Sequence, residues 1–228
     1  FNTINTLDYY DYLNLGFPLT AAAGSDVPWG STIGEVRTFV HTGPKFDVDA
    51  WFAGLKAGHT FVSNGPVIEA TVEGKLPGDR ITIAKGAKAK VSVRGTGHRR
   101  VGLPVRLTVA GSDGILKERE RKPSDGDSLA VEFELPVERS QWLVASVVCD
   151  NGAMAHTSPF YLIVDGRPFW HPTRGPEVIR KQLQVIDKIR EEIDKGPDDE
   201  RARGVRARLE KARRFYDDLA SEMIGASK

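Results

Sequence analysis

The sequence predicts an α+β chain built from three parts: a mixed α/β opening, an immunoglobulin-like β-sandwich and a C-terminal helical hairpin. Three textures carry this expectation. Strand-like and helix-like stretches alternate from Phe1 to about Pro66, and short alternating segments separated by turn residues run from about Val67 to Asp165. After that, apolar residues recur at a helical period of about 3.6. The boundaries read from these textures are 1–66, 67–170 and 171–228.

In the first part, "LDYYDYLNLG" has helical spacing through Leu7, Tyr10 and Leu13, "FPLTAAA" reads as a buried strand, and "VRTFVHT" reads as another. "DVDAWFAGLKAG" opens on an Asp cap and stops at Gly58, and "HTFVSNGP" is a strand running into a turn. The second part offers about eight short strands, with Asp113-Gly114 and Asn151-Gly152 as hairpin signals. Trp142 is expected as an anchor between two sheets, with Val144, Phe160 and Leu162 on the same inward side. In the third part Ile179, Leu183, Ile186 and Ile193 mark one helix, ending at Gly196-Pro197. Ala202, Val205, Leu209, Ala212, Tyr216, Leu219 and Met223 mark a second, whose stripe must be covered by this chain or by a second copy through the hairpin. "RARGVRARLEKARR" is then the solvated face of that helix.

Composition narrows the function classes. The chain has 228 residues, of which 40% are hydrophobic, and 32 Lys and Arg against 31 Asp and Glu leave a net charge of +1. Nucleic acid and anionic membrane surfaces call for a sustained positive excess, so neither is an expected partner. Apolar runs such as "WLVASVVC" fall short of the roughly 20 residues a membrane span needs. Cys149 is the only cysteine, so the chain holds no internal disulfide and no thiolate cluster. The opening "FNTINTLDYY" has no initiator Met and no signal-like pattern, and reads as a chain whose leader was removed or as an excised piece.

The order "YYDYLNLGFPLTAAAGSD", "GEVRTFV" and "WFAGLKAGHTFVSNGP" resembles the C-terminal part of metallohydrolases of the polymerase-and-histidinol-phosphatase (PHP) type, in the carbaryl hydrolase (CehA/McbA) branch. "SQWLVASVV" and "AHTSPFYLIVDGRPF" resemble the accessory region that follows the catalytic domain there. The resemblance covers most of residues 7 to 170. It implies that 1–66 is the last part of a distorted (β/α) barrel holding two or three divalent metals, Zn, Mn or Mg, which activate water against an ester, carbamate or phosphoester in a small molecule. It also slightly favours a periplasmic or secreted location. In that branch the last ligand motif is an Asp at the end of a barrel strand, with His two positions later. Asp26 matches the Asp, and Pro28 stands where the His would be. The earlier His-x-His motif is expected upstream of Phe1.

The residues themselves agree with such a placement. Barrel enzymes gather their chemistry at the C-terminal ends of strands, and a hard carboxylate oxygen suits these metals. Asp26 can equally serve a turn through its own backbone. Around it, Ser25, Trp29, Arg37 and Asn64 are candidates for substrate contact or ligand support. Arg37 could clamp an anionic group or pair with Glu35, and Asn64, before Gly65-Pro66, could serve the turn. The five histidines, His41, His59, His98, His156 and His171, have no metal-ligand spacing, and each has an ordinary structural reading. A hydrolytic centre needs at least about three protein ligands, so the chain by itself is expected to be inactive. A second reading makes it a non-catalytic module that binds a protein or a carbohydrate.

Overall fold

A computed structural model describes residues 3–30 and 32–225. Their contacts divide between two units, one holding Pro18–Phe169 and the other Leu7–Phe17 with the residues from Trp170 onward. The chain is α+β, with sandwich-like sheets and C-terminal helices. Among the described residues no helix is long and apolar enough to cross a membrane.

In chain order the elements are α1 (Thr3–Asn14), β1 (Arg37–Val40), α2 (Val48–Ala57), β2 (Thr60–Ser63), β3 (Val67–Val72), β4 (Arg80–Thr82), β5 (Lys88–Thr96), β6 (Pro104–Gly111), β7 (Gly114–Glu120), β8 (Ser128–Pro136), β9 (Gln141–Cys149), β10 (Met154–Thr157), β11 (Phe160–Ile163), α3 (Arg174–Asp194) and α4 (Glu200–Gly225). The smaller sheet runs β3-β5-β8. The larger runs β1-β2-β10-β9-β11-β4, with β6 and then β7 on the other side of β9. The turn signals at Asp113-Gly114 and Asn151-Gly152 fall at the β6–β7 and β9–β10 connections.

Alternation builds the sandwich core. Ile68, Ala70 and Val72 of β3, Val91 and Val93 of β5, and Leu129 and Val131 of β8 meet Leu107 and Val109 of β6 and Leu143, Ala145 and Val147 of β9. Each large side chain so buried contributes roughly 1.5–3 kcal/mol. One expectation about this core is corrected. Trp142 and Val144 are buried, but they alternate with Leu143 and Ala145, which belong to the inter-sheet core along with Phe160 and Leu162. Residues 141–145 of β9 are all buried, so its alternation does not reveal which face meets the other sheet.

Two further differences concern the opening. The expected division at residue 66 is not a division of the sheet, because β2 is flanked by β1 on one side and by β10 on the other. Thr60, Val62 and Ser63 of β2 are buried, and a buried strand has its backbone groups paired on both edges. The second difference is that "FPLTAAA" is not a strand: residues 17–26 carry no regular structure. Helix α2 follows the expectation closely. Asp47 accepts a bond from the Ala50 N–H at 2.9 Å, and Gly58, at φ 79°, closes the helix with its N–H directed at Gly54 and Leu55. Gly58 packs against Gly78, whose N–H reaches the Pro159 carbonyl at 2.6 Å.

The other unit is organised by the stripes of α3 and α4. Val178, Ile179, Leu219 and Met223 are buried with Leu15, and Tyr12, Phe17, Trp170, Leu183 and Tyr216 pack around them. The third surface that a two-helix hairpin requires therefore comes from residues 12–17 and Trp170. His171 starts α3: its Nδ1 accepts the N–H groups of Thr173 at 3.1 Å and Arg174 at 3.0 Å, in the manner of a cap. Ion pairs cross the hairpin in both directions: Arg206 and Arg213 of α4 meet Asp194, at 2.7 Å, and Asp187 of α3, and Arg190 of α3 meets Glu210 of α4 at 2.6 Å.

Candidate functional site

The stretch from Leu19 to Ser25 is held by side-chain hydroxyls, where a strand would use a neighbouring backbone. The Tyr161 hydroxyl accepts from the Leu19 N–H at 2.9 Å and donates to its carbonyl at 3.3 Å. The Ala21 N–H reaches Ser158 Oγ at 2.8 Å, and Thr60 Oγ1 donates to the Ala21 carbonyl at 2.8 Å. These two hydroxyls lie 2.7 Å apart and are buried. Thr38 Oγ1 serves both the N–H and the carbonyl of Ala23, at 2.9 and 2.8 Å. Ser25 Oγ completes the series by serving Val36, accepting from its N–H at 3.0 Å and donating to its carbonyl at 3.2 Å.

This pattern has a period of two. Leu19, Ala21 and Ala23 are bonded through their backbones, whereas Ala22 and Gly24 are exposed. Among the described residues, no hydrogen bond reaches the backbone of Thr20, Ala22 or Gly24. Such alternation is that of extended chain, in which successive residues direct their N–H and C=O groups to opposite sides. Burial raises the Tyr161 phenol to about 12, so its hydroxyl stays protonated and able to donate throughout the neutral range.

Asp26 ends this tethered stretch. It is exposed, its φ is 50°, and its carbonyl accepts the Gly30 N–H at 2.6 Å in a tight turn. A positive φ is uncommon for any residue but glycine, and Asp is among those that tolerate it best. Among the described residues the Asp26 carboxylate has no hydrogen-bond partner. The turn is thus made by the main chain, leaving the side chain unengaged.

The other candidates are placed as follows. Ser25 is committed to Val36. Trp29, in the turn after Asp26, is 87% exposed. Arg37 lies over the Phe39 ring at 5.6 Å, and Phe39 stacks on Phe61 at 4.6 Å. Glu35 accepts instead from the Thr32 N–H at 3.2 Å. Asn64 Oδ1 accepts from the Met154 N–H at 2.7 Å, and its own N–H returns to the Met154 carbonyl at 3.2 Å, which joins β2 to β10. Ser25, Asp26 and Trp29 therefore share one loop, and Arg37, next to the Val36 that Ser25 holds, lies close to it. Asn64 follows Ser63, the register partner of Arg37, but its amide is spent on the sheet.

Among the described residues no three His, Cys, Asp or Glu side chains come together in a metal-binding group. Asp26 fits one oxygen position of a Zn, Mn or Mg site, and the described residues do not complete that site. The histidines are used elsewhere. His59 Nε2 lies 3.0 Å from Asp79 Oδ1, His171 caps α3, and His156 sits in β10, where burial lowers its imidazole to about 4. The four hydroxyls that seat residues 19–23 come from positions 38, 60, 158 and 161. No local pattern marks them, because what unites them is sheet register.

No family model matches the chain, and no curated protein matches it. Solved structures similar in part include a superoxide reductase (neelaredoxin) from Ignicoccus hospitalis, 15% identical over 45% of this chain and 82% of that one, with a TM-score of 0.31. Another is the CARDB domain of PF1109 from Pyrococcus furiosus, 12% identical over 45% of this chain and 98% of that one, at 0.31. A third is a fibronectin(III)-like module structure of CbhA from Clostridium thermocellum, 12% identical over 43% of this chain and 98% of that one, at 0.30. Likeness at this level carries nothing about chemistry.

Proposed function

We propose that the chain is the C-terminal portion of a metal-dependent hydrolase of PHP type acting on ester, carbamate or phosphoester bonds. It lends that enzyme a single carboxylate, Asp26, and is inactive alone. In this reading the α/β opening is the end of the barrel, and the sandwich is an immunoglobulin-like accessory domain. The observation that carries it is the state of Asp26: an exposed carboxylate with no partner among the described residues, at the end of a stretch tethered by hydroxyls. A bound Zn, Mn or Mg ion would lower the pKa of a coordinated water and so supply hydroxide near neutral pH. Asp26 would hold such an ion, and the tether would fix where its oxygens stand.

The test uses p-nitrophenyl acetate, a naphthyl carbamate and bis-p-nitrophenyl phosphate with added Mn²⁺ or Zn²⁺. The purified 228-residue chain should hydrolyse none of them, and Asp26→Asn in a longer protein containing it should abolish metal-dependent turnover. Turnover by the 228-residue chain itself, or a longer protein indifferent to Asp26→Asn, would count against the proposal.

The second reading is a non-catalytic binding module. It is favoured by six large apolar side chains exposed between residues 27 and 52: Val27, Trp29, Ile33, Phe46, Val48 and Phe52.

A further inference from the structure

The pairing of β1 with β2 runs one step past the strands themselves. Val40 stands opposite Thr60, and the His41 N–H donates to the His59 carbonyl at 2.9 Å, which sets the two histidines opposite each other. Opposite residues of an antiparallel pair direct their side chains to one face, with Cβ atoms about 4.5–5.5 Å apart. Helix α2 separates the two in the chain, so no local spacing announces them. The rings differ in state. His59 Nε2 lies 3.0 Å from Asp79 Oδ1, and Asp79 is itself fixed, its Oδ2 accepting the Leu76 N–H and its carbonyl the Tyr161 N–H, each at 3.0 Å. A carboxylate only accepts, so Nε2 is the donor and Nδ1 is the nitrogen with a free lone pair. That Nδ1 makes no hydrogen bond among the described residues. His41 is exposed, and its ring makes none there either.

We propose that His41 and His59 bind one divalent transition-metal ion between them, through Nδ1 of His59 and a ring nitrogen of His41, with water in the remaining positions. Asp79 is the positioning residue. A carboxylate on one ring nitrogen fixes the tautomer and the ring orientation and makes the other nitrogen a better ligand, which is the usual company of a metal-bound imidazole. Nδ1 lies close to its own Cβ, so the Cβ spacing across the pair brings it within reach of an ion that His41 holds at about 2.0–2.1 Å. Imidazole suits Zn²⁺, Ni²⁺ and Cu²⁺, whereas Mg²⁺ prefers oxygen and keeps its water. Such an ion fastens β1, the end strand of its sheet, to β2. Since Thr38 of β1 seats Ala23, it also steadies the stretch that leads to Asp26. The proposal does not depend on Asp26 binding a metal.

Calorimetric titration of the untagged chain with Zn²⁺ and with Ni²⁺ tests this. Each should fill a site of one ion per chain that Mg²⁺ at the same concentration leaves empty. The melting midpoint should rise as metal is added and return with EDTA. His41→Gln, at an exposed position, should leave the metal-free midpoint unchanged and abolish the saturation. His59→Gln should abolish it too, and Asp79→Asn should weaken binding about 10–100-fold. His98→Gln, at the other exposed histidine, should bind as the parent chain does. Ring ¹⁵N resonances of His41 and His59 should move together on adding Zn²⁺, with the change at His59 falling on Nδ1. A chain that binds neither ion, binding that survives His41→Gln, a site that Mg²⁺ fills equally, or a Zn²⁺ effect confined to other histidines would each overturn the proposal. If His59→Gln does not fold, His41→Gln and the ring resonances decide.

Discussion

His156 shows how much one buried side chain can couple stability to pH. It sits in β10 between Val62 of β2 and Ser146 of β9, and burial lowers its imidazole to about 4 from the usual 6.5. The folded chain holds it neutral while the unfolded chain protonates it on acidification, so its contribution is intact above about pH 6.5 and is lost as pH falls toward about 4. Between pH 7 and pH 5 that loss amounts to about 2 kcal/mol. Urea unfolding of the wild-type chain should lose this much over that interval, and His156→Gln should lose clearly less. Equal slopes would mean that His156 is not the coupled group. Asp26 differs from it in kind. Its residue type and its place after an apolar run were legible in the sequence, but the company it keeps was not, because ligand partners are long-range contacts that local spacing does not encode.

Among the elements, α4 is where the pattern predicts most. Its stripe buries Leu219 and Met223 against Val178, Ile179 and Leu15. Met223→Ala, at a site 3% exposed, should cost about 2–5 kcal/mol in chemical denaturation. Arg208→Ala on the exposed face, where the guanidinium reaches the Gly204 carbonyl of its own helix, should change stability by less than about 0.5 kcal/mol. Similar losses from both would mean that the stripe is not what holds the hairpin. Both C-terminal helices and α2 were legible because a 3.6-residue period and cap residues are local signals. Two other expectations failed for physical reasons. "FPLTAAA" has the composition of a strand and an extended course, but its bonding partners are hydroxyls on Thr38, Thr60, Ser158 and Tyr161, so no ladder forms. The facing of Trp142 was misassigned because apolar residues occupy both faces of "WLVASVV", which leaves periodicity nothing to discriminate.

For the whole molecule the division into two units has a direct consequence. The sandwich core, from Ile68 through Val164, draws on residues of the first unit alone, and the core of α3 and α4 draws on the second alone. A fragment spanning 18–169 should therefore keep a cooperative thermal transition of its own. A fragment ending at Thr173 should lose solubility, because Tyr12, Leu15 and Phe17 lose the helices that cover them. A fragment 18–169 that fails to melt cooperatively would show that the first core is insufficient. Gly58 and Gly78 matter at this scale as well. A Cβ at Gly58 would come within 3.0 Å of the Gly78 Cα, a Cβ at Gly78 would collide with the Ala57 carbonyl and with Gly58, and both residues have positive φ. Neither can be replaced first to make room for the other. The crossing of α2 and the loop before β4 is thus closed to stepwise sequence drift: descendants of this chain can vary freely around the two glycines, but keep both or must rebuild the crossing at once.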